Sequence, residues 1–195
     1  MISIKEKYTK EAIPAMMKKF NYKNVMIVPK IDKVVVNTGL GKLVSGKTGE
    51  EQKKIFSAVS EDLSSICGQK AVLTKSKKSI ASFKTRAGMI IGAKVTLRGR
   101  KMNDFLERII NIALPRSRDF QGIDLKSFDN QGNLTLAIRE HIIFPEVSPE
   151  KVKFVFGFEI TVVTTAKNKD ESIELLRLLG FPIKKSKPPS ANIFP

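Results

Sequence analysis

The chain has 195 residues, 42% of them hydrophobic, and 35 Lys and Arg against 19 Asp and Glu give a formal net charge of +16. This size predicts one domain, and without an apolar run of membrane-spanning length we expect a soluble protein that stays in the cytoplasm. One cysteine and one histidine exclude an intramolecular disulfide and a Cys/His metal cluster, so we expect structural roles for Cys67 and His141, no metal and no cofactor.

The first elements in chain order are a helix, a strand and a second helix. Residues 4–20 have a helical pattern, in which Pro14 should either kink the helix or move its start. The stretch KVVVNTG is apolar on both faces as far as Asn37, which is typical of a central strand. Residues 50–66 then repeat apolar side chains at helical spacing, and Gly68 is a stop signal.

The second half of the chain alternates strands and helices. The stretches AKVTLRG, NLTLAIRE and FEITVVTTA alternate apolar and polar residues. This alternation predicts strands with one buried and one solvent-exposed face. Between them, MNDFLERIINIALP is a helix that Pro115 should close, and NKDESIELLRLLG is a helix that begins after Asn168 and ends at Gly180. Wet-faced strands are typical of antiparallel sheets. We therefore predict an α+β fold: a largely antiparallel sheet with helices on one face and an open face for RNA.

Positive charge is concentrated between residues 71 and 101. This stretch holds nine Lys and Arg and no acid, whereas ordinary solvated surfaces mix both signs. Such a patch predicts a phosphate-binding surface, with nucleic acid as the partner. A membrane surface is the alternative, but we find neither a basic amphipathic helix nor a lipidation signal, so we expect no membrane partner.

The stretch GKLVSGKT fits the phosphate-loop pattern at Gly41, Gly46, Lys47 and Thr48. A nucleotide-binding protein is therefore an alternative hypothesis. Three observations disfavour it: no second apolar strand ends in a magnesium-binding acid, acids follow directly at Glu50 and Glu51, and the other strands have the pattern of an antiparallel sheet. We expect no enzymatic activity.

Several long blocks of sequence resemble the bacterial-type family of large-subunit ribosomal protein five. They are KIDKVVVNTGLG, CGQKAVLTKSKKSIASFKTRAG, IGAKVTLRG, LPRSRDFQGI, SFDNQGN, REHIIFPEV and GFEITVVTTAKNKDES, in this order. The resemblance runs from about residue 4 to Pro182. It implies a protein that binds 5S ribosomal RNA in the central protuberance, with large-subunit rRNA and neighbouring ribosomal proteins as further partners.

The resemblance also implies a set of RNA-binding residues on the sheet and its adjoining turns. The positions that match are Asn37, Gln69, Thr74, Lys75, Lys94, Thr96 and Arg98. Amide and hydroxyl side chains suit base edges and 2′-hydroxyls, and cations suit phosphates. For Asn37 and Gln69, capping of turns at strand ends is the alternative role.

In this family the loop between the second and third strands reaches toward the P-site tRNA. The segment SKKSIASFKTRAG occupies its place, and the side chains expected to face tRNA are Lys77, Lys78, Ser79, Phe83, Lys84 and Arg86. Phe83 either stacks on a base or packs under its own loop. The segment PRSRDFQG is a candidate for the contact that family members make with a small-subunit protein.

The chain departs from the family pattern in two places. The loop after GLG is longer than usual, and a basic, proline-containing arm follows Pro182. We therefore predict one RNA-binding domain over residues 1–182 and a C-terminal arm over residues 183–195.

Overall fold

The computed structural model describes residues 3–44, 46–118 and 120–184 of the chain. Within them, five strands form one sheet of order β2-β3-β1-β5-β4, in which every neighbouring pair is antiparallel. The strands are β1 (Ile31–Gly39), β2 (Val72–Lys75), β3 (Ile90–Leu97), β4 (Leu134–Ile138) and β5 (Phe158–Thr164). The predicted α+β fold with an antiparallel sheet is confirmed.

The helices pack on one face of this sheet. They are α1 (Ile4–Lys7), α2 (Ile13–Phe20), α3 (Gly41–Val44), α4 (Gly49–Cys67), α5 (Gly99–Arg108), α6 (Leu114–Arg116) and α7 (Lys169–Leu178). Short 3₁₀ turns occupy Val25–Ile27, Leu125–Ser127, His141–Ile143 and Pro149–Lys151. None of the described helices is long and apolar enough to cross a membrane.

The core lies between the sheet and the helices. Alternate residues of β1, β3, β4 and β5 are buried against the helices, as the period-two pattern predicts, whereas no residue of β2 is fully buried. The central strand is β1. On the helical side α4 contributes Ile55, Val59, Leu63 and Ile66, all almost fully buried. Gly68 ends α4 with a φ of 64°, a left-handed conformation that glycine adopts without strain.

Two prolines lie within helical stretches, Pro14 in the middle of one and Pro115 one residue before the end of another. Pro14 and Pro115 are each the second residue of an α-helical segment, and each segment follows a five-residue π-helical turn, Tyr8–Ala12 or Ile109–Ala113. A proline normally breaks a helix because it lacks the N–H and its ring meets the carbonyl four residues earlier. The wider π turn displaces that carbonyl. The prediction that Pro115 closes its helix is therefore wrong: the chain stays helical as far as Arg116.

The single histidine belongs to the core. His141 is fully buried and stacks on Phe156 with ring centroids 4.1 Å apart. Its Nδ1 accepts the backbone N–H of Phe156 at 3.4 Å, so its proton lies on Nε2, 3.6 Å from Asp62 Oδ2. Burial lowers the pKa of His141 below its ordinary value, although the Asp62 carboxylate opposes this shift.

This lowered pKa makes stability depend on pH. Near pH 6.5 the unfolded chain takes up a proton at His141 that the folded chain does not, so the free energy of unfolding should fall as pH falls below about 7. For one proton this loss cannot exceed about 1.4 kcal/mol per pH unit. Urea unfolding between pH 7.5 and 5.5 should show a steeper loss for the wild type than for His141→Gln, in which Asp62 is unchanged. Parallel pH profiles would contradict this account.

Candidate RNA-binding surface

The face of the sheet away from the helices carries polar and charged side chains in rows set by the strand register. In one row Asn37 of β1 lies between Lys94 of β3 and Glu159 of β5. In the next row Val35 lies between Thr96 and Thr161. Neighbouring Cβ atoms within such rows are about 5 Å apart. Lys94, Asn37 and Thr96 are therefore brought together, as the resemblance implies.

Arg98, Thr74 and Lys75 extend this group beyond those rows. Arg98 directly follows the end of β3, and its side chain is exposed. Thr74 and Lys75 end β2, which pairs with β3 at the edge of the sheet, and a β-bulge lies between them. The extra residue is Ile91 of β3, which has no partner on β2, so the regular ladder is interrupted at this point.

The two amide side chains have different environments. Gln69 Nε2 donates to the backbone oxygen of Thr96 at 3.2 Å, beyond the point where β2 begins to pair with β3. The NH₂ group of Gln69 therefore has a structural role, which resembles the turn-capping role given above as the alternative. Asn37 lies within β1 and is exposed, and no side-chain hydrogen bond is found for it among the described residues. Its amide is available to a ligand.

Two side chains on this face were missed by the sequence analysis. Val72 of β2 is 60% exposed and pairs with Lys94, so an apolar group lies beside the cation. Glu159 places one acid on the face and accepts from the Thr161 hydroxyl at 3.3 Å. The alternation of FEITVVTTA assigns Glu159 to the wet face, but only the strand order puts it beside Asn37.

The loop between β2 and β3 is a small hairpin held by its own backbone. Ser76 N donates to Met89 O at 2.8 Å, and Ile80 and Thr85 pair through both of their N–H groups. Ser79 Oγ accepts the backbone N–H of Ala87 at 2.9 Å. This serine, expected to face tRNA, therefore braces the loop.

The cations of the loop point away from the fold. These cations are Lys77, Lys78, Lys84 and Arg86. All four are exposed, and none takes part in a salt bridge within the described residues. Phe83 is 72% exposed, so its ring does not pack under its own loop. Lys84, with a φ of 50°, forms the tight turn beside it. The loop thus presents four cations and one free aromatic ring.

The stretch that matches the phosphate-loop pattern, residues 41–48, does not have the surroundings of a phosphate loop. The strand before it, β1, has only antiparallel neighbours, whereas a phosphate loop follows a parallel strand. Thr48 and Glu51 form a capping box at the N-terminus of α4, in which the Thr48 N–H donates to Glu51 Oε2 at 3.2 Å. The helix end that would hold a phosphate therefore has its own carboxylate. Lys47 lies over the ring of Phe154, with 5.0 Å from Nζ to the centroid.

This arrangement predicts a structural role for Lys47. Lys47→Ala should cost about 0.5–1 kcal/mol of stability through the lost cation–π contact and leave RNA affinity unchanged. Thermal unfolding and RNA titration of the same preparation would measure both effects. ATP or GTP turnover that disappears in Lys47→Ala would overturn this interpretation.

The remaining candidate residues are Cys67 and those of the segment PRSRDFQG. Cys67 is buried, which raises the pKa of its thiol to about 12. No group of three potential metal ligands is found in the described parts of the chain. The segment PRSRDFQG, of which residue 119 is not described, contributes Arg116 and Arg118 to a cavity of about 440 Å³ that Arg139 also lines.

The predicted C-terminal arm lies outside the described residues from residue 185 onward. The first two residues of the predicted arm are attached to the fold. Ile183 bridges Ile123, and Lys184 Nζ lies 2.9 Å from Asp124 Oδ1.

Two sequence models of protein families match the chain. The model of ribosomal protein L5 matches residues 24–86, and the model of the C-terminus of the same ribosomal protein family matches residues 90–183. The large ribosomal subunit protein uL5 of Halothermothrix orenii is 50% identical over 182 residues, which cover 93% of this chain and 98% of that protein. The uL5 of Desulfotalea psychrophila is 51% identical over 185 residues, 95% of this chain and 100% of that protein. The chain therefore belongs to the bacterial-type uL5 family of ribosomal proteins.

Proposed function

We propose that this protein binds 5S rRNA through the open face of its sheet and approaches the P-site tRNA with the β2–β3 loop. As a member of the uL5 family, it is a structural constituent of the large subunit of the cytoplasmic ribosome and not an enzyme. It binds rRNA and acts in translation. The proposal concerns which RNA meets which part of the molecule.

The observation that carries the proposal is the pairing of Asn37 with Lys94 on an uncovered sheet. A cation binds a phosphate oxygen, while the neighbouring amide can both donate to and accept from a base edge or a 2′-hydroxyl. The Thr96 hydroxyl extends the same surface by one row. A folded RNA offers phosphates and unpaired base edges at this spacing, which a small molecule does not.

The β2–β3 loop supports the second half of the proposal. Its cations extend from the end of the sheet where β1 ends, and the exposed Phe83 ring can stack on an unpaired base. Because its backbone is already hydrogen-bonded as a hairpin, less ordering entropy is lost when it meets RNA. The arginine-lined cavity at PRSRDFQG is the surface that we assign to a small-subunit protein.

Binding of purified 5S rRNA across a salt series tests this proposal. The wild type should retain 5S rRNA at physiological salt, with affinity falling steeply as salt rises, because phosphate contacts release counterions. Lys94→Ala should weaken binding and reduce the salt slope by about one, whereas Thr96→Ala should weaken binding at an unchanged slope. No retention of 5S rRNA, or an affinity independent of salt, would overturn the proposal.

A further inference from the structure

Three consecutive apolar side chains stand exposed before the first strand. Val25, Met26 and Ile27 have 49%, 86% and 53% of their surface accessible. We call these three residues the apolar wedge. Soluble proteins expose single apolar side chains freely, but a contiguous exposed group indicates a contact surface.

The wedge is held in place by local structure. Asn24 Oδ1 accepts the Met26 N–H at 2.9 Å, and the Val28 N–H donates to Val25 O at 3.2 Å, which together fix a 3₁₀ turn. Directly after it, Val28 and Pro29 are buried and anchor the turn to the core. The fold thus holds these side chains in solvent.

Lysines flank the wedge in the sequence. Residues 18–33 contain five lysines and one acid, Asp32. Asp32 lies 4.0 Å from Lys33, and Glu174 of α7 pairs with Lys19 at 2.8 Å. The three other lysines of this stretch are Lys18, Lys23 and Lys30. They have no salt-bridge partner within the described residues. A protein partner would have to bring acids to meet them, whereas RNA brings negative charge and apolar base faces together.

The wedge lies at the end of the sheet opposite to the β2–β3 loop. Lys30 O, just before β1, accepts the Thr165 N–H at 2.9 Å, and β3 ends at this side with Arg98 following it. The loop meets the sheet at the other end of β1, nine residues away. At about 3.3 Å per residue, the two features are about 30 Å apart.

We propose that the apolar wedge is a separate contact for 5S rRNA, in which Met26 and Val25 pack against base or ribose faces at the end of the open sheet. This inference rests on the proposed function, because it extends the surface of the same bound RNA. The flanking lysines meet phosphates, and the aliphatic and thioether groups add contact area without hydrogen bonds. The wedge therefore contributes affinity that does not depend on salt.

The double variant Val25→Ser/Met26→Ser tests the wedge. Both side chains are exposed, so the fold should keep its thermal stability within a few degrees. Binding to 5S rRNA should weaken about tenfold, with the same salt slope as the wild type. Val155→Ser is the matched control, because Val155 is 52% exposed on a different loop, and it should bind like the wild type.

The possible outcomes separate the wedge from the proposed function. Wild-type protein that fails to retain 5S rRNA contradicts the proposed function and the wedge with it. Wild-type affinity in the double variant overturns the wedge alone. The wedge is also overturned if the double variant binds 5S rRNA normally but fails to enter large subunits, because the wedge would then contact another component of the subunit. Equal weakening by Val155→Ser would also overturn it.

Discussion

Replacing Lys94 and Arg98 together by glutamate should lower the affinity for 5S rRNA at least about a hundredfold at physiological salt. The change removes two phosphate contacts and adds two charges that repel the RNA at the same positions. Each lost contact should also reduce the slope of log K against log salt by about 0.7–0.9. Both side chains are exposed and lack salt-bridge partners among the described residues, so the fold should tolerate the change.

The control for this experiment is Lys53→Glu/Lys54→Glu. Both lysines are exposed on α4, in the helical layer, and the change in net charge is identical. Long-range attraction to RNA falls equally in the two double variants, so the difference between them reports local contacts on the open face. Equilibrium binding of 5S rRNA over a salt series would measure it. Equal losses of affinity in the two double variants would indicate that the protein binds RNA only through its overall charge.

Gly92→Ala should destabilise the sheet beside the binding surface, where Gly92 pairs with the last residue of β1. A Cβ at this position would lie 2.6 Å from the backbone oxygen of Thr38 and 2.9 Å from Thr74 Oγ1. Because the first of these atoms is backbone, β1 and β3 must move apart to relieve the overlap. Overpacking of this kind costs about 2 kcal/mol or more. The melting temperature should fall by about 4–8 °C.

Gly39 provides a matched control, because it is the cross-strand partner of Gly92. A Cβ on Gly39 has no atom within 4 Å, and its φ is not positive. Gly39→Ala should therefore leave the melting temperature nearly unchanged. The two variants add the same methyl group at paired positions, one on β1 and the other on β3. Similar losses from both would show that backbone freedom, rather than close approach, explains the glycines.

Local sequence patterns predicted the helices and strands well where burial of one face sets the spacing of apolar residues. The alternation in β3 and β5 arises because one face of each strand is buried. β1 carries Val35 on the open face, where this side chain is half-buried. Pro115 was misjudged because a π turn cannot be recognised from a proline alone. The phosphate-loop pattern fixes four positions out of eight, so its meaning depends on neighbouring strands that the motif does not contain.

The site was predicted less completely because it depends on pairings between distant residues. Nothing near Glu159 in the sequence indicates that it lies beside Asn37. The bond from Gln69 to Thr96 also requires knowing where β2 begins to pair. The stretch VMIV is apolar enough to suggest burial, yet Asn24 turns its first three residues outward. Register and turn geometry, rather than composition, decide these positions.

Cleavage of 5S rRNA by hydroxyl radicals from a tethered iron chelate tests the central claim most directly. The chain suits this method because its single cysteine, Cys67, is buried with a raised thiol pKa and should not react. A chelate on Thr161→Cys, on the open face, should cleave bound 5S rRNA at a few defined nucleotides. A chelate on Ser57→Cys, exposed on α4, should leave the RNA intact. Cleavage from Ser57→Cys and none from Thr161→Cys would contradict the account, because the RNA would then lie on the helical side.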